Sequence, residues 1–426
     1  MKPTPSLYAR TRERQVLLKA WRVIRSNAST SGNRATRLAA DAFEENLLAN
    51  IQNIQRRLKK GAYKFRPAIG VAAPKGNGKP GKRAIVVATV ADRVVQRAIL
   101  DVIYKHCPSP RITTAIQTPT SVGGVPGRGI GHALALIEQA EDLGAKFAIR
   151  SDIRNFFPSF PRNEVLQYLR EEIPDTAFVD LFERAITIEL SNRASLGDDA
   201  ELFPLGDDGV AQGSPLSVLA GNIVLRKFDA ELNQRDVVCI RYIDDFLILG
   251  KTGKAAAKAL ASGLAILKSL KLEAYDPADG TGKAWAGTLD GGFDFLGYNV
   301  VRGLNPPSSA SREKLLGKID AEIAEGKKWI NRVLRQDAPQ TKKVQCYVQT
   351  LAQIDNVLRG WAGAFQHSMS VQTFTDLDAK IDRRLAEFER WFGDAIHNQP
   401  ATVHRRAMGI RLLADSAAIP LPSVES

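Results

Sequence analysis

Two adjacent carboxylates, Asp244 and Asp245, lie between two short apolar runs, Val237–Ile240 and Phe246–Leu249. This pattern predicts a β-hairpin that carries the two acids at its turn. Two like charges between buried strands are costly unless cations neutralise them. Magnesium suits this task because it takes hard oxygen ligands and shares its coordination shell with substrate phosphates. The alternative is a hairpin turn that uses aspartate for its local geometry, which the tight apolar flanks disfavour.

A third carboxylate, Asp152, ends another apolar run, Phe147–Ser151, which is predicted to be a strand. An aspartate at the end of a strand is also typical of a turn or a helix cap. Phe157 follows closely, and an aromatic ring beside a metal-binding carboxylate can exclude a sugar 2′-hydroxyl. The three acids therefore predict a two-metal phosphoryl-transfer site, as in a nucleic-acid polymerase.

A glycine and a proline precede a long apolar helix at Gln212-Gly213-Ser214-Pro215. Gly213 and Pro215 allow the backbone to approach a base pair closely, which leaves Gln212 free to contact a nucleotide. The alternative is a plain turn in which Ser217 caps the helix.

The basic stretch Gly76–Lys82 nearly matches the glycine spacing of a phosphate-binding P-loop. Arg83 stands where such a loop needs Ser or Thr, however, and the extended run Ala84–Val87 replaces the helix. The sequence instead predicts a β-turn that carries Lys75, Lys79, Lys82 and Arg83 and whose charges hold a triphosphate, with Lys75 and above all Arg83 as contacts. A solvated basic loop is the alternative.

Two further segments have weaker signals. The glycine-rich Gly123–Gly129 lacks the spacing of a dinucleotide fold and is interpreted as a loop that holds nucleic-acid backbone, with Arg128 as a binding residue, or as a plain loop. The segment Phe295-Leu296-Gly297-Tyr298 predicts a small strand-turn that, in a polymerase, lies at the primer terminus.

Composition limits the class of protein. The 426 residues include 59 Lys plus Arg against 46 Asp plus Glu, a net charge of +13 that favours polyanionic partners. Three widely spaced cysteines support neither a disulfide framework nor a zinc cluster, so a reducing cytoplasm is expected. Apolar runs stay well below the roughly 18–20 residues of a membrane span, so we expect a soluble chain with no membrane partner.

Apolar periodicity predicts an α+β chain. Helices are expected at Leu7–Arg25 and Leu38–Leu58 around the linker Ser26–Asn33, and a helix at Ser217–Asn233. After a boundary near Leu304 only helical patterns remain. We therefore expect an N-terminal helical extension over 1–60, a mixed body over 61–304, a helical module over 305–413 and a flexible tail over 414–426.

Taken in order, these motifs resemble a reverse transcriptase over about residues 60–300. The closest likeness is to bacterial enzymes of the group II intron, retron and defence-associated branches. The resemblance rests on these residues: Lys75, Arg83, Asp92–Gln96, Asp152, Phe157, Gln212–Pro215, Tyr242–Asp245 and Phe295–Tyr298. It implies a right-hand polymerase fold, with fingers and palm in 61–304 and a helical thumb or maturase-like region in 305–413.

The resemblance also implies roles for the site residues. Asp152 and Asp244 would bind two Mg²⁺ ions, for which Mn²⁺ can substitute, with Asp245 assisting and Ile153 included in the metal set. Phe157 would be the steric gate. The remaining implied contacts are Gln212 and Gly213 with the incoming nucleotide, Lys75 and Arg83 with its triphosphate, Arg128 with nucleic acid, and Phe295, Leu296, Gly297 and Tyr298 with the primer.

The chain departs from intron enzymes at Ser121–Val125, where those enzymes usually have Ser-Tyr-Gly-Phe-Arg. This difference favours the defence-associated group, whose members copy a neighbouring noncoding RNA into DNA to block phage. The implied partners are a structured RNA template, a DNA primer or product and dNTPs. Three alternatives stay open: an RNA-directed RNA polymerase, a splicing cofactor with a vestigial site, and a template-independent, protein-primed DNA polymerase.

Overall fold

A computed structural model describes residues 5–75, 81–234, 236–335 and 345–413. The chain divides into two compact units, Met1–Asp290 and Gly291–Ser426. The basic turn residues 76–80, which include Lys79, and the predicted flexible tail lie outside the described residues.

Helices form the N-terminal part of the first unit. They are α1 (Leu7–Thr11), α2 (Arg14–Ser29), α3 (Arg34–Glu45) and α4 (Leu47–Lys59). The first predicted helix is therefore interrupted after Thr11, and the first half of the predicted linker is helical because α2 continues to Ser29. The remaining connection ends at Asn33, whose side chain caps α3 by accepting hydrogen bonds from two backbone N–H groups.

The rest of this unit alternates helices and strands. The helices are α5 (Val90–His106), α6 (Pro110–Ile116), α7 (Ile130–Asp142), α8 (Phe156–Ser159), α9 (Arg162–Glu172), α10 (Thr176–Ile186), α11 (Arg193–Leu196), α12 (Pro215–Val224), α13 (Arg226–Glu231) and α14 (Gly253–Ser269). The strands are β1 (Ile69–Pro74), β2 (Lys82–Val87), β3 (Phe147–Asp152), β4 (Val237–Tyr242), β5 (Asp245–Gly250) and β6 (Trp285–Thr288). Short 3₁₀ helices occur at Gly197–Leu202, Pro277–Asp279 and Leu289–Gly291.

The central sheet has the strand order β4-β5-β3-β6, with every neighbouring pair antiparallel. Its strands β4 and β5 are rich in buried apolar residues, and Cys239, Phe246 and Ile248 belong to the main hydrophobic core. Helix α5 lies in the same core and packs against α2 and α12. Burial of one sheet face by helices fixes the strand register, and with it the positions of residues at the strand ends.

A separate antiparallel hairpin is formed by β1 and β2, paired from Ile69 with Val87 to Pro74 with Lys82. Asn192 attaches it to the helical body, because its side chain accepts from the Gly70 N–H and donates to the Gly70 carbonyl. The extended pattern predicted for this region is confirmed.

The second unit begins with a small hairpin and continues as helices. Its elements are β7 (Phe293–Phe295), β8 (Tyr298–Val300), α15 (Ser309–Leu334), α16 (Tyr347–Ala364), α17 (Val371–Ile396) and α18 (Ala401–Met408). The division falls between Asp290 and Gly291, earlier than the predicted Leu304, because the hairpin bonds to this unit: the Tyr298 hydroxyl donates to the Ala364 carbonyl at 2.7 Å.

The α+β fold class with a helical C-terminal region is confirmed by this arrangement of elements. Within the described part of the chain, no helix is both long enough and apolar enough to cross a lipid bilayer.

Candidate active site

The adjacent aspartates lie at the tip of the β4–β5 hairpin. Tyr242 pairs with Asp245, so Ile243 and Asp244 form a two-residue turn. Ile243 has a φ of +64°, which a β-branched residue rarely adopts and which costs roughly 1–3 kcal/mol. The hairpin turn therefore carries backbone strain next to the candidate catalytic carboxylate.

Asp152 lies directly opposite Asp245 in the antiparallel pairing of β3 with β5. Such cross-strand partners have Cα atoms about 4.5–5.5 Å apart and side chains on the same face of the sheet. Ile153 directly follows Asp152, and its N–H donates to the Asp244 carbonyl at 3.1 Å. This bond connects the end of β3 to the turn that carries Asp244. The fold thus brings together three aspartates that are distant in sequence.

Burial raises the pKa of the Asp244 carboxyl, while backbone N–H groups and the positive charges of Arg83 and Arg241 act in the opposite direction. A carboxylate deprived of water in this way gains from a bound cation. The three carboxylates are hard oxygen ligands of the kind that Mg²⁺ prefers. Ile153 has a buried hydrocarbon side chain, so it can offer a metal only its main-chain oxygen.

Within the described residues, no three His, Cys, Asp or Glu side chains form a preformed ion cage. Magnesium commonly completes its shell with water and substrate phosphates, so the aspartates fit an ion that arrives with a nucleotide.

Gln212 and Gly213 lie beside β2, the strand that carries Arg83. The Val86 N–H donates to the Gln212 carbonyl at 3.0 Å, and a Cβ on Gly213 would lie 3.1 Å from the Val86 oxygen. Gly213 also has a φ of +116°, so glycine is favoured there for its backbone conformation as well as for space.

The start of α12 differs from the capping alternative. Ser214 caps the helix by accepting from the Leu216 N–H, whereas the Ser217 hydroxyl donates to the Ala211 carbonyl at 2.6 Å. The cap expected at Ser217 is therefore wrong, because that residue already lies within the helix.

The basic residues of the β1–β2 hairpin have different surroundings. Arg83 lies near enough to Asp244 for its charge to lower the pKa of that carboxyl. Lys82 instead forms an ion pair with Asp199 at 2.6 Å. The Lys75 N–H donates to the Gly81 carbonyl at 3.0 Å, closing the hairpin on its described side. Among the described basic residues of this hairpin, Arg83 is thus the one whose charge acts on the Asp244 carboxyl.

The aromatic residues after Asp152 differ in how deeply they are buried. Phe156 and Phe160 are buried core residues, whereas Phe157 is half-buried. Asn155 directs the chain into this short helix with a left-handed backbone conformation, φ +45°. Phe157 is therefore the aromatic residue of this group that keeps accessible surface.

The glycine-rich loop lies against the β4–β5 hairpin. A Cβ on Gly123 would lie 2.6 Å from the Ile243 nitrogen, a distance that excludes a side chain. Arg128, predicted to bind nucleic acid, donates hydrogen bonds to the Gln117, Thr118 and Ser121 carbonyls. These contacts give Arg128 a structural role in holding the loop, and its role toward nucleic acid stays a prediction.

Sequence reasoning missed a buried polar network behind the hairpin. Arg241 donates to both carboxylate oxygens of Asp229 at 2.6 Å and to the Asn222 side-chain oxygen at 3.0 Å. Thr118 and Ser121 donate to Asp229 and Asn222 respectively. The available signal was an arginine inside an apolar strand, immediately before Tyr242.

The predicted primer segment forms the β7–β8 turn of the second unit. Leu296 and Gly297 both have positive φ, 50° and 86°, as a type I′ hairpin requires. Phe295 and Tyr298 are buried, so the exposed surface of this segment belongs to the turn between them. A primer-contacting role stays a prediction.

Residues 73–276 match the family model described as reverse transcriptase (RNA-dependent DNA polymerase). Protein YkfC of Escherichia coli (strain K12) is 27% identical over 61% of this chain and 73% of its own length.

Two fungal proteins are also similar. The uncharacterized 91 kDa protein in the cob intron of Schizosaccharomyces pombe is 28% identical over 51% of this chain. The putative COX1/OXI3 intron 2 protein of Saccharomyces cerevisiae is 24% identical over 52%. The chain spans only 24% of the length of each fungal protein.

Proposed function

Since the chain belongs to the reverse transcriptase family of RNA-directed DNA polymerases, we propose that it copies RNA into DNA with Asp152, Asp244 and Asp245 as catalytic carboxylates. The observation that carries this proposal is the cross-strand pairing of Asp152 with Asp245, next to the turn that presents Asp244. The matched segment, residues 73–276, contains all three acids.

The aspartates hold the divalent ions, with Asp152 and Asp244 as principal ligands, Asp245 assisting and the Ile153 carbonyl available. Two Mg²⁺ ions held by these residues, or Mn²⁺ in their place, would supply activation of the primer 3′-hydroxyl and neutralisation of charge on the leaving pyrophosphate. Arg83 and Lys75 bind the triphosphate by charge. The protein thus acts mainly by positioning and electrostatic stabilisation.

Nucleotide selection depends on the residues around the aspartates. Phe157 excludes the 2′-hydroxyl of a ribonucleotide, because its half-buried ring follows the strand that ends in Asp152. Gln212 and Gly213 contact the incoming nucleotide from beside β2. Close approach of the backbone at Gly213 is possible since this residue has no side chain.

The wider organisation follows the right-hand plan. Residues 1–60 form an N-terminal extension, the first unit from residue 61 onward forms the fingers and palm, and the helices of the second unit form a thumb or maturase-like region. The Leu296-Gly297 turn, flanked by Phe295 and Tyr298, forms the primer grip. The N-terminal helices and α15 to α18 supply the helical segments of this plan.

The template is a structured noncoding RNA, and the DNA copy serves defence against phage. The net charge of +13 supports a polyanionic partner. The departure from intron enzymes at Ser121–Val125 supports the defence-associated group. All three cysteines are unpaired, which supports a reducing cytoplasm as the site of action.

The activity is tested with purified protein, an RNA template annealed to a DNA primer, and labelled dNTPs. Primer extension that requires the RNA template supports the proposal, whereas extension only with rNTPs would indicate an RNA polymerase. Product formation without a template would indicate protein-primed synthesis. Sequencing of nucleic acid that copurifies with the protein, together with phage plating on cells that express Asp244→Asn, tests the template and the defence role.

A second candidate function is a splicing cofactor of intron type. The similarity to two fungal intron-encoded proteins favours it. A double variant, Asp152→Asn with Asp244→Asn, separates the two functions. Splicing assistance that survives in this variant would support the cofactor role, and its absence from both wild type and variant would remove that role.

A further inference from the structure

Arg241 is a charged residue in the interior of the first unit, with 0% of its surface exposed. Its partner Asp229 is equally buried, and the two side chains meet in a bidentate ion pair at 2.6 Å. Removing two charges from water costs several kcal/mol per ion, which the mutual attraction of a good pair only roughly offsets. Stability alone is therefore a weak reason for a buried ion pair at this place.

The same guanidinium has a further donor directed at the catalytic turn. Its Nη1 group donates to the Ile243 carbonyl at 2.9 Å. The next carbonyl along the chain, that of Asp244, accepts from the Ile153 N–H at 3.1 Å. The peptide groups on both sides of Asp244 are thus fixed, one by Arg241 and the other by the backbone that follows β3.

The turn needs such support because Ile243 has a φ of +64°. A strained conformation of this kind persists only where its surroundings over-determine it. Gly123 supplies contact from another segment, since its missing Cβ would lie 2.6 Å from the Ile243 nitrogen. The Val122 N–H donates to the Arg241 carbonyl at 2.8 Å, which holds this segment in place.

We propose that Arg241, oriented by Asp229, is a positioning residue that fixes the direction of the Asp244 carboxylate, and that Gly123 completes the support. The inference rests on the proposed polymerase function. A displacement of about 1 Å in a catalytic constellation costs roughly 10²-fold in rate, so loss of this support lowers kcat without removing any metal ligand.

The first test replaces the ion pair by apolar residues of similar size, Arg241→Met with Asp229→Leu. Because both buried charges are removed together, the thermal midpoint is expected to stay near that of the wild type. The expected result is a kcat lower by about 10- to 100-fold and a half-saturating Mg²⁺ concentration higher by about tenfold, with RNA affinity unchanged. A purely structural role predicts that kcat and the Mg²⁺ dependence recover along with the thermal midpoint.

The second test changes the segment that packs against Ile243. It tests the positioning role independently if the double variant does not fold. Gly123→Ala places a methyl group against the Ile243 backbone, and Gly32→Ala, in the connection between α2 and α3, meets open space. We expect Gly123→Ala to reproduce the loss of kcat and the shifted Mg²⁺ dependence, and Gly32→Ala to behave like the wild type.

The outcomes separate this inference from the proposed function. An inactive wild-type protein would contradict the polymerase assignment and this inference with it. An active wild type together with normal kcat and Mg²⁺ dependence in a folded double variant, or in Gly123→Ala, would overturn the positioning role alone.

Discussion

Asp152 faces Asp245 across the β3–β5 ladder, although the two residues come from separate strands with α8 to α13 between them in sequence. Antiparallel register places both side chains on one face of the sheet, and the adjacent turn adds Asp244. Any change that shifts the register by one residue would move Asp152 to the opposite face. The predicted chemistry of the site therefore depends on the packing of the whole sheet.

Arg83 is expected to bind the triphosphate of the incoming nucleotide. Arg83→Ala should raise the dNTP KM about 10- to 100-fold, because a charge-assisted contact to phosphate is lost. Lys82→Ala is the matched control: Lys82 is paired with Asp199 on the surface, and its loss should change KM by no more than about a few-fold. Steady-state primer extension at varied dNTP measures both, and equal effects of the two variants would contradict the assignment.

Phe157 is expected to discriminate between deoxyribonucleotides and ribonucleotides. Phe157→Ala opens space beside Asp152, so incorporation of rNTP relative to dNTP should increase by about tenfold or more. Phe43→Ala, which removes a ring packed on Trp21 in the N-terminal helices, serves as the control for loss of an aromatic side chain. Unchanged selectivity in competition assays with Phe157→Ala would remove this residue from the gate.

Removal of divalent cations should stop primer extension completely and reversibly. In the proposed mechanism EDTA would remove the ions that neutralise the three aspartates, and added Mg²⁺ or Mn²⁺ should restore activity. Ca²⁺ should restore little, since its larger radius and flexible coordination fit the reaction geometry poorly. Primer extension that continues in excess chelator would refute a metal-dependent mechanism.

Tyr298 should contribute to the stability of the second unit. Tyr298→Phe removes the hydroxyl that donates to the Ala364 carbonyl inside a buried contact, at a cost of about 1–2 kcal/mol in free energy of unfolding. Tyr8→Phe removes a similar bond, to the Leu58 carbonyl in the first unit, and is the matched control. Denaturant unfolding and primer binding are measured for both.

Two results would distinguish the roles of Tyr298. If Tyr298→Phe lowers stability and leaves primer affinity unchanged, the Tyr298 side chain acts as a buried support of the Leu296-Gly297 turn. Weaker primer binding with unchanged stability would instead require Tyr298 to leave its buried position and contact the primer directly.

The three aspartates could be selected from the sequence as candidate site residues because their signal is local. Acids that end or interrupt apolar runs identify Asp152 and Asp244, and the confirmed α+β class follows from periodicity. Helix breaks were harder to predict, since no glycine or proline marks the interruption after Thr11. The cap of α12 was expected at Ser217, one helical turn after Ser214, which is the actual cap, because both serines are suitable caps.

The support of the hairpin could not be predicted, because it depends on contacts between distant segments. Nothing in the glycine-rich sequence indicates that Gly123 packs on Ile243, and Asp229 has no sequence feature that links it to Arg241. An arginine within an apolar strand does indicate a buried partner. Its identity, and the strain at Ile243, become visible only in three dimensions.

Primer extension by Asp244→Asn is the most direct measurement of the central claim. The substitution removes the negative charge with little change in size, so folding and RNA affinity should be retained. We predict a fall in the rate of dNTP addition on an RNA template of at least 10²- to 10³-fold, on the order expected for loss of a main electrostatic contributor. A folded Asp244→Asn protein that extends the primer at the wild-type rate would contradict the account.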